Sequence, residues 1–307
     1  MRLTTLLFNQ LRFNFEKHFI PNKNVKAYNM ESLGHKGDKR FGYTEPFQLL
    51  DEEATTYIRK LTENEEFLRK TKFVTSFSPF VLRNCAVHDP FLNDIYTSAE
   101  AENYFSEIVG EEMRWLSNTW DASHMNVQEK TGLDTKIFDW HMDSQPLTLI
   151  INVSDMPENV VGGSTILRRY DDGSEIELKQ PAPGYATIFR GSGVFHRGSA
   201  ANYKRVIYVK TMEFKDVTIL DKTDALFSTQ YSDPVDLLSQ HLQNKFDRLQ
   251  KQVELIRDNP SKADRVVEVV QEEMKNNQVF AKYAFHIQAG QETVETLVDK
   301  KLIQNVY

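Results

Sequence analysis

His141, Met142 and Asp143 set an imidazole and a carboxylate two residues apart. In an extended strand, residues i and i+2 point to the same side. One segment can therefore offer both groups to a single ion. His196 supplies a second imidazole several turn signals further along. Two histidines and one carboxylate on one face of an ion leave its remaining positions open. That arrangement suits mononuclear ferrous iron that must take up a chelating co-substrate and O2. Arg205 opens the run RVIYVKTMEF and shares a strand face with Ile207 and Val209. A guanidinium there can hold a carboxylate in a bidentate pair deep in the same site. Lys204 is turned outward by the alternation, and Arg197, beside His196, is a further rival for that role.

The elements that position these groups are legible in outline. The chain has 307 residues, 40% hydrophobic and 26% charged, with a net charge of -7. Those are values of a packed globular protein, and the acidic balance argues against a nucleic-acid partner. Cys85 is the single cysteine. An intrachain disulfide is excluded, a reducing compartment fits, and a cytoplasmic location is expected. No apolar run reaches the ~20 residues of a membrane span. The first residues, through Phe19, carry Arg2 and Arg12 and no acid before Glu16. An organelle transit peptide is one reading of that pattern. The preferred one is an amphipathic helix packed through Leu3, Leu7, Leu11 and Phe15.

Residues 51–70 read as a helix with acids first and bases last. Residues 72–84 read as strand. Thr97 and Glu100 form a capping-box pattern ahead of a helix running to about Ser117. From about 124 to 214 short runs alternate with turn signals: HMNVQ, KIFDWHMD, PLTLIINV, STILRRY, IELKQ, YATIF and RVIYVKTMEF. That rhythm predicts a β-sandwich or barrel. Beyond about 218 the period is helical again. Asp233-Pro234 starts a helix whose stripe is Leu238, Leu242, Phe246, Leu249, Val253 and Ile256, and Asn259-Pro260-Ser261 ends it and caps another. The stripe is expected to pack on its own core. A dimer face is the alternative, so the chain is expected to be a monomer or homodimer.

Taken in order, HMD, GGST at 162–165, PGYATIF at 183–189, His196 within HRG, and Arg205 form one pattern. It resembles the core of the Fe(II)/2-oxoglutarate dioxygenase superfamily, and its spacings are most similar to the prolyl-hydroxylase branch. The phytanoyl-CoA hydroxylase branch usually has a longer gap between distal histidine and arginine. The resemblance implies an α+β fold with a double-stranded β-helix (jelly-roll, cupin-like) core and buttressing helices. It places an oxygenase domain at 1–217, its β core at about 124–214, and a C-terminal helical extension at 218–307. It implies Fe(II) bound by His141, Asp143 and His196, and Arg205 paired with the distal carboxylate of 2-oxoglutarate. With O2 as second co-substrate, succinate and CO2 would be released as a substrate C–H bond is oxidised. Asp143 disfavours the halogenase variant, in which a small residue stands at that position.

Around this set, Thr165, Thr148 and Asn152 are candidates to bind 2-oxoglutarate. Arg83, Ser76 and Arg190 are candidates for substrate, with Ser78 and Asn84 beside them. Trp140 is expected in core packing, and His18, His35, His88, His124, His241 and His286 in ordinary roles. The expected substrate is a small, amino-acid-like or carboxylate metabolite of specialised metabolism, with hydroxylation, desaturation or cyclisation as outcome. A prolyl-type protein hydroxylase and a non-catalytic binding barrel are the alternatives.

Overall fold

The computed structural model describes residues 11–75, 78, 80–129 and 139–288, the last eleven of these by backbone alone. Ser76, the first residues through Gln10 and most of the KIFDWHMD run's first half lie outside the described residues.

Two antiparallel sheets organise the molecule. The strands before the site are β1 (Ala27–Asn29), β2 (Phe41–Thr44), β3 (Phe47–Gln48), β4 (Lys72–Phe73), β5 (Phe80–Leu82) and β6 (Met113–Trp115). Those that build it are β7 (Ser123–Gln128), β8 (Leu147–Asn152), β9 (Thr165–Arg168), β10 (Glu175–Leu178), β11 (Tyr185–Phe189), β12 (His196–Gly198) and β13 (Arg205–Phe214). The large sheet runs β1-β2-β11-β8-β13-β7-β5-β4, with β3 on β11 and β6 on β13, and the small one runs β10-β9-β12.

The two-residue period of β13 decides how the sheets are used. Val206, Tyr208 and Met212 enter the larger apolar core, whereas Ile207 and Val209 join a second cluster on the other face. β8 divides alike: Leu147, Leu149 and Ile151 go one way and Ile150 the other. All ten residues of β13 are buried, as befits a strand covered on both faces.

Helices cover the larger core. The predicted 51–70 helix is two, α1 (Glu52–Leu61) and α2 (Glu65–Thr71), because Asn64 caps the second through Phe67 N. The expected long strand at 72–84 is the β4–β5 pair. Asn84 then turns the chain into a short helix at φ 57°, a conformation that asparagine tolerates better than most residues. In α3 (Ala99–Val109) the cap is Ser98, whose hydroxyl accepts from Ala101 N, one residue on from the expected Thr97. The helix stops at Gly110, φ 73°, well short of Ser117, and β6 takes up the remainder. Glycine accepts that left-handed backbone without strain.

The C-terminal helices are α4 (Pro234–Asp258) and α5 (Ala263–Gln288). Asp233 caps α4 through Val235 N and Asp236 N, with Pro234 in the first turn. The expected inward stripe is inward only in part: Leu238, Leu242 and Ile256 are half-buried, whereas Phe246 is 64% exposed and Val253 58%. The inward residues are Leu237, His241, Asn244, Arg248 and Gln252. Polar partners explain the rotation. Lys245 meets Asp221 at 2.6 Å, Arg248 meets Glu273 of α5 at 2.9 Å, and Asn244 donates to Glu213 at 3.1 Å. Among the described residues, no helix is long and apolar enough to cross a membrane.

Candidate metal centre and its anchor cleft

A cleft opens between the two sheets, walled by β7, β8 and β13 on one side and β9 and β12 on the other. His141, Asp143 and His196 meet in it, with a ligand atom from each lying within 4.8 Å of the others. The backbone brings them together directly. His141 N donates to His196 O at 3.1 Å and His196 N to His141 O at 2.9 Å. This bridge stands in place of the regular strand expected around His141. The two imidazole rings are 4.2 Å apart.

Tautomers are set by the backbone. Nδ1 of His141 faces the Asp139 carbonyl at 2.9 Å, and Nδ1 of His196 faces the Val194 carbonyl at 3.0 Å. A carbonyl only accepts, so each Nδ1 carries the proton and each Nε2 presents a lone pair. Those Nε2 atoms stand 3.7 and 3.6 Å from Asp143 Oδ1. Burial first, then His196 alongside, pushes the His141 imidazole down to about 3, so it is neutral at neutral pH. Burial alone would raise the Asp143 carboxyl. The imidazoles and the Thr148 hydroxyl outweigh that and hold it below its ordinary value. Two imidazoles and one carboxylate, converging, form a donor set fit for a divalent cation.

Deeper in the cleft lies Arg205. Its Nε donates to Gly163 O at 2.8 Å and its Nη1 to Gln128 Oε1 at 3.3 Å. Gly163 can offer that carbonyl because it and Gly162 hold positive φ, 77° and 72°. A side chain at Gly163 would also strike the Tyr203 ring. Burial lowers Arg205 to about 10, which leaves it cationic. Two buried polar atoms here lack partners among the described residues: Arg205 Nη2 and Thr165 Oγ1. Buried polar groups are normally paired, so an unpaired guanidinium nitrogen and an unpaired hydroxyl on residues lining one cleft mark a place for an anionic ligand. Gly198 pairs with Thr165 across β12–β9, and a Cβ added to it would lie 3.7 Å from Arg205 Nη1. Gly198 is two strand residues from His196, so roughly 6–7 Å separates the two levels of the site. A five-carbon diacid spans such a gap.

The other sequence candidates divide between the cleft, which Ser78 also lines, and positions elsewhere. Thr148 lines the cleft, but its hydroxyl donates to Asp143 Oδ2. Asn152 holds Ser154 N and reaches Met156, away from the cleft lining. Arg83 is buried in an ion pair with Asp121 and also donates to Ser228. Arg190 donates to Phe41 O and pairs with Glu111 at 2.8 Å. Neither arginine lines the cleft; Arg197 does. Trp140 is half-buried rather than in the core, with the Arg197 guanidinium 4.9 Å from its ring centre and that of Arg168 5.7 Å. His124, Asn126 and Gln145 also face the cleft and were missed by residue-type reasoning. The signal was present: His124, Asn126 and Gln128 alternate along HMNVQ, a polar strand face that needs a polar neighbour.

No family model and no curated protein matches the sequence. Solved structures do. The chain is similar to a prolyl-4-hydroxylase of Pseudomonas putida (12% identity, 61% of this chain and 97% of that one, TM-score 0.42). It is similar to an oxidoreductase of the 2OG-Fe(II) oxygenase family from Burkholderia pseudomallei (13%, 64% and 94%, TM-score 0.43). The motif run resembles that same family. IDO from Bacillus thuringiensis matches at 16% identity over 31% of this chain, with a TM-score of 0.26, and the match spans 44% of that protein's length.

Proposed function

We propose that this protein is an Fe(II)- and 2-oxoglutarate-dependent oxygenase that oxidises an unactivated C–H bond of a small, amino-acid-like or carboxylate metabolite. In the hydroxylation case, substrate, O2 and 2-oxoglutarate become hydroxylated substrate, succinate and CO2. The observation that carries this reading is the pairing, in a single cleft, of a cluster of two histidines and one aspartate with a buried cation whose Nη2 is unpaired. A hydrolytic metal site would need the three donors and a water. The hydrolytic step itself does not call on a buried guanidinium and hydroxyl beyond them. The jelly-roll reading of the two facing sheets belongs to the same proposal.

Each residue then has a task. His141, Asp143 and His196 would hold the iron, which when bound supplies the activation of O2. Arg205 would clamp the distal carboxylate of 2-oxoglutarate, with Thr165 donating to it and Gln128 steadying the guanidinium. Ile150, Ile207 and Val209 give the cleft an apolar lining that limits water. His124, Asn126 and Gln145 offer polar contacts to the substrate.

Anaerobic mixing of the apo protein with Fe(II) and 2-oxoglutarate tests the reading. We expect a weak visible charge-transfer band, absent in His196→Ala. Admitting O2 should then release succinate. A wild-type protein that gives neither band nor succinate would end the proposal. A screen of amino acids and related acids by succinate release and product mass would name the substrate.

A further inference from the structure

Asp143 does not hang freely beside the two histidines. Its Oδ2 accepts the Thr148 hydroxyl, and its backbone N donates to Gly191 O at 3.0 Å. The nearest imidazole nitrogens stand opposite the other oxygen, Oδ1. The two carboxylate oxygens are therefore chemically distinct before any ion arrives. Thr148 is rigidly placed. It sits in β8, paired with Phe189 of β11 on one side and Thr211 of β13 on the other, and is 4% exposed. Its β-branched side chain has restricted rotation.

Gly191 completes the arrangement. A Cβ there would lie 2.6 Å from Thr148 Oγ1 and 2.9 Å from Asp143 Oδ2. Its φ is not positive, so glycine is present for space. Any larger residue would push into the hydroxyl–carboxylate contact.

We infer that Thr148 is a positioning residue, holding Asp143 so that it offers one oxygen to the metal and leaves a coordination position open, and that Gly191 provides the space for that contact. The inference rests on the reading of the cluster as a metal centre. It reassigns Thr148, which the sequence suggested as a 2-oxoglutarate contact, to the ion's surroundings. Removing a partner that orients a metal ligand typically weakens metal binding about 10–100-fold.

Titration of the apo protein with Co(II), and anaerobically with Fe(II), tests this without turnover. Thr148→Val keeps shape and removes the hydroxyl; Thr148→Ala removes it without bulk; Thr148→Ser keeps it. We expect about 10–100-fold weaker binding for the valine, alanine and Gly191→Ala variants, with an altered Co(II) visible spectrum and near-wild-type binding by the serine variant. Apo-protein melting identifies any variant that has lost its fold. Folded valine or alanine variants that bind both ions like wild type, with an unchanged spectrum, would overturn the inference while leaving the metal centre intact. A wild-type protein that binds neither ion would overturn both.

Discussion

At the scale of the residue, the guanidinium of Arg205 is charged, buried and only partly paired. Arg205→Ala should weaken 2-oxoglutarate binding about 10–100-fold, the loss expected for hydrogen bonds to a charged group. Anaerobic titration of the charge-transfer band measures it, and Fe(II) affinity should not change. Arg205→Lys should recover only part of the loss, since an ammonium lacks the planar fork. A fall in Fe(II) affinity equal to the fall in 2-oxoglutarate affinity would place Arg205 in the wrong role. That His141, Asp143 and His196 converge and share a cleft with Arg205 was readable because such side-chain types in that order are chemically restrictive. Arg83 and Arg190 were not readable. Their acid partners, Asp121 and Glu111, are remote in sequence, and only the folded chain shows them already paired.

At the scale of the element, α4 departs from the usual rule that an apolar stripe faces inward: its buried face is mostly polar, and part of its apolar stripe is exposed. Its inner face is held by charge. Glu273 of α5 accepts from Arg248 Nε, Gln252 Nε2 and Asp221 N. Arg248→Met would leave that carboxylate buried without a cation and should cost about 3–5 kcal/mol. Arg248→Met combined with Glu273→Met should recover much of it, because two apolar side chains leave no charge unpaired. Urea unfolding of both variants measures the difference; equal losses would refute the argument. The sequence located α4 through Asp233-Pro234 and its period, and β7 to β11 and β13 through alternation and turns, but not the short β12. The facing of α4 was hidden because periodicity reports which residues share a side, while the partners that select the side lie in the 213–223 segment and α5.

At the scale of the whole molecule, acid stability follows from buried imidazoles. Burial, then Lys245 nearby, holds His241 down to about 3 in the fold, against about 6.5 in an unfolded chain. The unfolded state therefore takes up the proton first. This histidine costs nothing above about pH 6.5, and its protonation favours unfolding progressively as pH falls from there towards 3, by up to about 1.4 kcal/mol per pH unit. His241→Gln should flatten the dependence of stability on pH across that window, as measured by urea midpoints; an unchanged slope would show that His241 is not the proton acceptor.

The reciprocal amide bridge between His141 and His196 has a consequence for loading. Two donors remote in sequence are stitched by peptide geometry, so their separation does not wait on an ion. Stripping the protein with a chelator should empty a cage that keeps its form. The amide protons of both residues should stay slow to exchange with deuterium in the stripped protein, and reloading should follow the arrival of metal with no refolding phase.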